Sequence, residues 1–128
     1  PVSAIDPDIA RTVARMLETV TSDTGTGKKA RVANYRIAGK TGTSHKASAS
    51  GYAAARYVSS FAGFGPASNP RLVCVVVIND PTGEEYYGGL VAAPLFSKVM
   101  TGAMRILNIP PDDYSTMVVN APDSAKEQ

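Results

Sequence analysis

The chain has 128 residues, of which 44% are hydrophobic and 19% charged, the balance of one compact globular domain and a poor match to a disordered chain. Its net charge of +2, with basic residues not gathered into a stripe with interleaved aromatics, argues against nucleic acid as a partner. No apolar run approaches the roughly 18 to 20 residues of a membrane-spanning helix; the longest, residues 72–78, fits a buried strand.

The amino terminus, Pro-Val-Ser-Ala-Ile, has neither an initiator methionine nor the basic-then-apolar pattern of a signal peptide, and reads as the start of a fragment. Asp6, Pro7 and Asp8 supply a capping side chain, a first-turn proline and an acid at the positive end of a helix dipole, so a helix is predicted to begin there. Ile9, Val13, Leu17 and Val20 recur at helical spacing and predict one buried face, with residues 22–27 ending the helix. Thr24-Gly25-Thr26-Gly27, followed by Lys28, Lys29 and Arg31, reads as a solvated loop. Residues 35–38 read as a strand running into Gly39-Lys40-Thr41-Gly42-Thr43, and residues 44–55, rich in Ser, Ala and Gly without a period, as a long loop or flexible hairpin tip.

Residues 57–64 alternate, with Tyr57, Ser59 and Phe61 on one face and Val58, Ser60 and Ala62 on the other, as in a half-covered strand. After a turn at 66–70, residues 71–79 are almost wholly apolar and rich in valine, which predicts a central strand buried on both faces. The single cysteine, Cys74, falls inside it as a small core residue. Residues 80–83 form a turn and 84–89 a loop with Tyr86 and Tyr87. A last helix begins near Pro94, apolar on more than one face, and Asn108, Pro110 and Pro111 stop it. Residues 1–111 thus read as one α+β unit, an antiparallel sheet of three strands flanked by helices, and residues 112–128 as a polar, poorly ordered tail.

Two readings compete for Gly39-Lys40-Thr41. A phosphate-binding loop needs a glycine five residues upstream, where Asn34 stands, and a helix immediately afterwards, where Gly42 and a Ser/Ala stretch follow. Lys-Thr-Gly-Thr on a strand fits better: an ammonium holds an anion, two threonines two residues apart share a face, and the glycine lets a substrate backbone lie close. That pattern is the third motif of serine β-lactamases and penicillin-binding proteins.

The resemblance extends well beyond the motif. Arg36 to Thr43, Tyr57 to Pro66, Asn69-Pro70-Arg71, Ile78-Asn79-Asp80-Pro81, Tyr86-Tyr87-Gly88-Gly89 and Ala93-Pro94-Leu95-Phe96 follow in the order found in class B penicillin-binding proteins. Gly25-Thr26-Gly27 and Asn108-Ile109-Pro110-Pro111-Asp112 continue it in both directions. The chain resembles the C-terminal part of their transpeptidase domain, a β-lactamase/transpeptidase-like fold, and within the class most resembles the septal, division-specific enzymes of Gram-negative bacteria.

The resemblance implies Lys40 as the active-site lysine, and Thr41 and Thr43 as hydroxyls holding the carboxylate of a terminal D-alanine or of a β-lactam. Gly42 would leave room for the substrate backbone, and the Thr43 N–H would be one of two oxyanion-hole donors. Tyr52 and Tyr87 would wall the cleft. His45 stands where the family commonly carries arginine, which puts that contact with ligand acids in question. The implied reaction is acyl transfer from D-alanyl-D-alanine to a neighbouring stem peptide through a serine acyl-enzyme. Neither Ser-x-x-Lys nor Ser-x-Asn occurs in the chain, so the nucleophile would lie on the N-terminal remainder of the same protein, and the chain alone would be inactive.

Implied partners are the peptidoglycan stem peptide, β-lactam antibiotics, that remainder and divisome membrane proteins, at the periplasmic face of the inner membrane with the anchor outside this chain. With neighbouring strands missing, a companion segment or swapped partner is expected along the sheet. No cofactor is expected, and no metal, since His45 is the chain's single histidine and has one cysteine for company. The alternatives are a non-catalytic module that binds a peptide carboxylate, and a piece that merely completes a sheet, for which Thr43→Val would alter stability but not ligand binding.

Overall fold

The structure, a computed structural model, describes residues 3–48 and 51–115, with side chains described outside 47–55. It opens with helix α1 (Pro7–Glu18), whose start follows from Asp6: its carboxylate accepts from the N–H groups of Asp8 at 2.8 Å and Ile9 at 3.3 Å, and Pro7 occupies the first turn. Asp6→Ala is expected to cost about 1 kcal/mol of stability, read as a lower urea midpoint at unchanged slope in the full-length protein.

A 3-10 turn at Thr19–Thr21 continues α1. Glu18 at the helix end receives both Nε and Nη2 of Arg36 at 2.9 Å, and the buried Thr21 hydroxyl lies 2.9 Å from the Ile37 carbonyl, so the helix is tied to the approach to the sheet. The segment expected to be a solvated loop is partly core: Gly27 and Ala30 are buried, and a second 3-10 turn spans Lys28–Ala30. The reason is close approach. A Cβ on Gly27 would stand 2.7 Å from the Phe61 ring, and its N–H bonds the Val20 carbonyl at 2.8 Å. The charges of that segment turn outward to Asp23, where Arg31 and Lys28 hold the carboxyl below the usual carboxylate range.

Strands β1 (Ala38–Ser48), β2 (Gly51–Gly65) and β3 (Leu72–Asn79) form an antiparallel sheet in that order. Its register pairs Thr43 with Ser59, Lys40 with Ala62 and Phe61 with Val76. Four expectations change here. The first strand begins at Ala38, not Tyr35, because Val32 and Tyr35 form their own bridge around Asn34, whose φ of 67° turns the chain. Residues 44–55, expected as a long loop or flexible hairpin tip, carry the strands of the hairpin further than expected: 44–48 and 51–55 are strand, with Ala47 and Ser48 paired to Tyr52 and Gly51 beyond a break in register, and 49–50 lie outside the described residues.

The expected central strand is an edge: β2 is central, and β3 alternates, with Val73, Val75 and Val77 exposed by 77%, 62% and 60%. A valine run favours a pleated strand however many of its faces are covered. Likewise no residue of α1 is buried, and Ile9, Val13 and Met16 remain exposed, so the helix shows an apolar stripe that this chain leaves open. Both open surfaces border a groove of about 420 Å³ lined by Val13, Leu17, Phe64 and Val73.

The core lies on the other face of the sheet. After a single turn, α2 (Gly88–Val91), helix α3 (Ala93–Ile106) packs Phe96, Met100 and Met104 against Phe61 and Val76. Asn108, at φ 49°, ends α3 in the left-handed conformation that asparagine tolerates. Beyond it the Asp112 carboxylate accepts from the Arg36 and Ser68 N–H groups at 2.8 and 3.1 Å, while residues 116–128 of the expected tail lie outside the described residues. Among the described residues, no helix is long and apolar enough to cross a membrane.

Candidate functional site

Strand alternation separates the motif into two faces. Thr41 and Thr43 lie on the side of Phe61 and Ser59, the face that α3 and the loop after β3 cover, while Lys40 shares the opposite, open face with Ala62 and Val75. The Lys40 ammonium is exposed and donates to the Thr41 carbonyl at 3.0 Å.

The backbone ladder sets a second distinction. Asp80 N–H donates to the Tyr57 carbonyl, so the odd-numbered residues of β2 turn their backbone groups toward β3 and the even-numbered ones toward β1. Ala62, Ser60 and Val58 therefore pair with Lys40, Gly42 and Ser44. The N–H and C=O groups of Thr41 and Thr43 are left on the free edge of β1, where a peptide or an oxyanion can meet them. Gly42 has its own steric reason: a Cβ there would stand 2.5 Å from the Ser60 hydroxyl.

Around the two threonines the chain builds a cleft of about 270 Å³, lined by Thr26, Thr41, Thr43, Tyr87 and residues 88–90. Thr26 and Thr41 share a hydrogen bond at 3.1 Å between their hydroxyls, and the Gly88 N–H donates to Thr43 Oγ1 at 3.0 Å. A row of rings closes one end: His45 lies 4.5 Å from Tyr57, Tyr57 stacks on Tyr86 at 4.0 Å, and Tyr86 meets Tyr87 at 4.4 Å between ring centres. At that end of the sheet Arg56 pairs with Asp80 and holds its carboxyl below the usual range.

The structure thus brings Thr41, Thr43 and Tyr87 together in one cleft, sets His45 on the face of Thr43 two residues further along β1, and leaves Lys40 and Gly42 on the opposite face of that strand. Tyr52, on β2, is paired with Ala47 of β1, and its side chain lies outside the described residues. Sequence reasoning missed Thr26, Ser59 and Gly88 as parts of the site. Thr26 and Gly88 were visible only as members of glycine-rich stretches, and Ser59 as a lone hydroxyl between two aromatic residues on the core face. Two larger hollows, of about 390 and 420 Å³, lie away from the motif; the first is lined by Arg31 and Arg36, already paired with Asp23 and Glu18, and the second is the apolar groove beside α1. Among the described residues, no three His, Cys, Asp or Glu side chains gather to hold a metal ion.

Residues 2–101 match the transpeptidase family described as "Penicillin binding protein transpeptidase domain". The chain is 52% identical over 110 residues to the "Probable peptidoglycan D,D-transpeptidase PbpC" of Pseudomonas aeruginosa, covering 86% of the chain and 20% of that protein. It is 48% identical over 108 residues to the "Peptidoglycan D,D-transpeptidase FtsI" of Escherichia coli strain K12, covering 84% and 18%. The chain therefore spans about a fifth of the length of these relatives. Among solved structures it is similar to the transpeptidase domain of Burkholderia pseudomallei penicillin-binding protein 3, with a TM-score of 0.77 and 42% identity over 84% of the chain and 33% of that structure. A family match over residues 2–101, with the fold in agreement, places the chain in the penicillin-binding protein transpeptidase domain family.

Proposed function

We propose that this chain forms the Lys-Thr-Gly-Thr wall of a serine D,D-transpeptidase that cross-links peptidoglycan stem peptides and is acylated by β-lactams. The observation that carries this reading is the free edge of β1: Thr43 presents its N–H there, while its hydroxyl and that of Thr41 face one cleft. An N–H aimed at the reacting carbonyl stabilises the oxyanion of acyl transfer, and loss of such a donor typically costs on the order of a hundredfold in rate. Lys40 supplies the positive charge, Thr41 and Thr43 the carboxylate contacts, Gly42 the clearance, and Tyr87, with His45 and Tyr52 nearer the hairpin, the walls. The serine and its base come from the remainder of the protein, since the chain contains no Ser-x-x-Lys.

The resemblance of the motif order to septal class B penicillin-binding proteins, beside the similarity to the peptidoglycan D,D-transpeptidase FtsI of Escherichia coli, supports a septal role, on the periplasmic face of the inner membrane among divisome membrane proteins. The test is to express the full reading frame and weigh the intact protein after benzylpenicillin. One penicillin mass per molecule on a serine of a Ser-x-x-Lys motif is the expected result, with no adduct on residues 1–128 expressed alone. A folded full-length protein that gains no mass would leave a non-catalytic carboxylate-binding module as the better account.

A further inference from the structure

We propose that Ser59 is a positioning residue for the Thr43 hydroxyl, acting through the loop that carries Tyr86 and Gly88; the proposal rests on the transpeptidase reading above. Ser59 is fully buried on β2, directly opposite Thr43 in the register, and its neighbours on that face are the aromatic rings of Tyr57 and Phe61. A hydroxyl is costly in such a place unless it is bonded. Its partner is the Tyr86 carbonyl, to which Ser59 Oγ donates.

Two residues on, the same loop sends the Gly88 N–H to Thr43 Oγ1 at 3.0 Å. A threonine hydroxyl has one hydrogen and two acceptor lone pairs. With one lone pair taken by Gly88, the Thr43 hydrogen is free to be donated, which is what an incoming carboxylate requires. The χ1 of a β-branched side chain is stiff, so pinning its oxygen fixes the direction of donation.

The relay has little slack. A Cβ on Gly88 would come within 2.3 Å of the Ser60 carbonyl oxygen and 2.4 Å of that of Gly42, so the loop rides directly on β1 and β2. The Tyr57–Tyr86 stack holds the ring of Tyr86, but a stacked pair at 4.0 Å can slide. The Ser59 bond fixes the backbone two residues before the N–H that matters.

The test uses the full-length enzyme and a fluorescent penicillin bearing its free carboxylate, with wild type, Ser59→Ala, Thr43→Val and the double variant. Ser59→Ala is expected to lower the second-order acylation rate about tenfold, the scale of one lost hydrogen bond. The loss should lie mainly in the half-saturating concentration and not in the limiting rate. On the Thr43→Val background the same change should have almost no effect, because the hydroxyl it positions is gone. Equal fold-losses on both backgrounds, or wild-type acylation by a folded Ser59→Ala variant, would overturn the proposal. If the alanine variant melts below the assay temperature, Ser59→Cys fills the site with a slightly larger side chain and a weak donor; an intermediate rate that vanishes as a separate effect on Thr43→Val supports the relay, and any other result overturns it. A folded wild-type enzyme that is not acylated at all would defeat the transpeptidase reading itself, and this proposal with it.

Discussion

Alanine at Lys40 is expected to slow β-lactam acylation of the full-length enzyme by about a hundredfold or more, the scale seen when a group that stabilises transition-state charge is removed. Its unfolding midpoint should hardly move. The side chain is exposed, stands on the face opposite the core, and makes its described hydrogen bond to a main-chain carbonyl that water can satisfy instead. Surface changes of this kind usually fall within about 0.5 kcal/mol of neutral. A compact ammonium beside the free edge of β1 can neutralise a ligand anion and ease proton transfer at a nearby hydroxyl, and alanine can do neither. Lys40→Arg separates charge from shape: the planar, permanently charged guanidinium should recover part of the binding but little of the rate. Single-turnover acylation beside a thermal melt checks both variants. Near-wild-type acylation of a folded Lys40→Ala protein would remove this lysine from the chemistry.

The elements were legible where local chemistry leaves one choice. Asp6-Pro7-Asp8 fixes a helix start because cap, proline and dipole agree, and the α3 stop at Asn108 before two prolines follows from the same kind of signal. That the motif lies on a strand, with its two threonines on one face, was legible from side-chain chemistry and period. What the sequence did not disclose were relations between distant segments. A buried Gly27 looks like any turn glycine until Phe61, 34 positions along, is seen to occupy the space of its missing Cβ. Ser59 reads as an ordinary strand serine until the Tyr86 carbonyl is found above it. The valines of β3 and the apolar face of α1 misled in the opposite sense. Hydrophobic pattern states that a face is to be covered, but not that the cover lies within the same 128 residues.

The largest effect on stability is expected from Phe61→Ala, at about 3 to 5 kcal/mol, the upper range for an aromatic core truncation. The ring is wholly buried and meets Phe96 edge-on at 4.7 Å between centres. What makes this site less able to relax than most is its walls. Cβ atoms built on Gly27, Gly39 and Gly63 would fall 2.7, 2.7 and 3.0 Å from the ring, so on three sides glycines supply bare backbone, with no side chain of their own to swing into the vacated space. On the side of β1, closing the cavity would draw the strand inward at Gly39, the residue before Lys40. Stability and catalysis are therefore coupled here: the acylation rate per folded molecule should fall as well, whereas a core truncation distant from the site would lower only the folded fraction. Urea denaturation of the full-length protein, with active sites titrated by a fluorescent penicillin below the transition, separates the two effects. A loss under about 1.5 kcal/mol, the range of a tolerated core swap, with unchanged acylation of the folded enzyme would mean that the socket collapses freely and that the position of β1 does not depend on this ring.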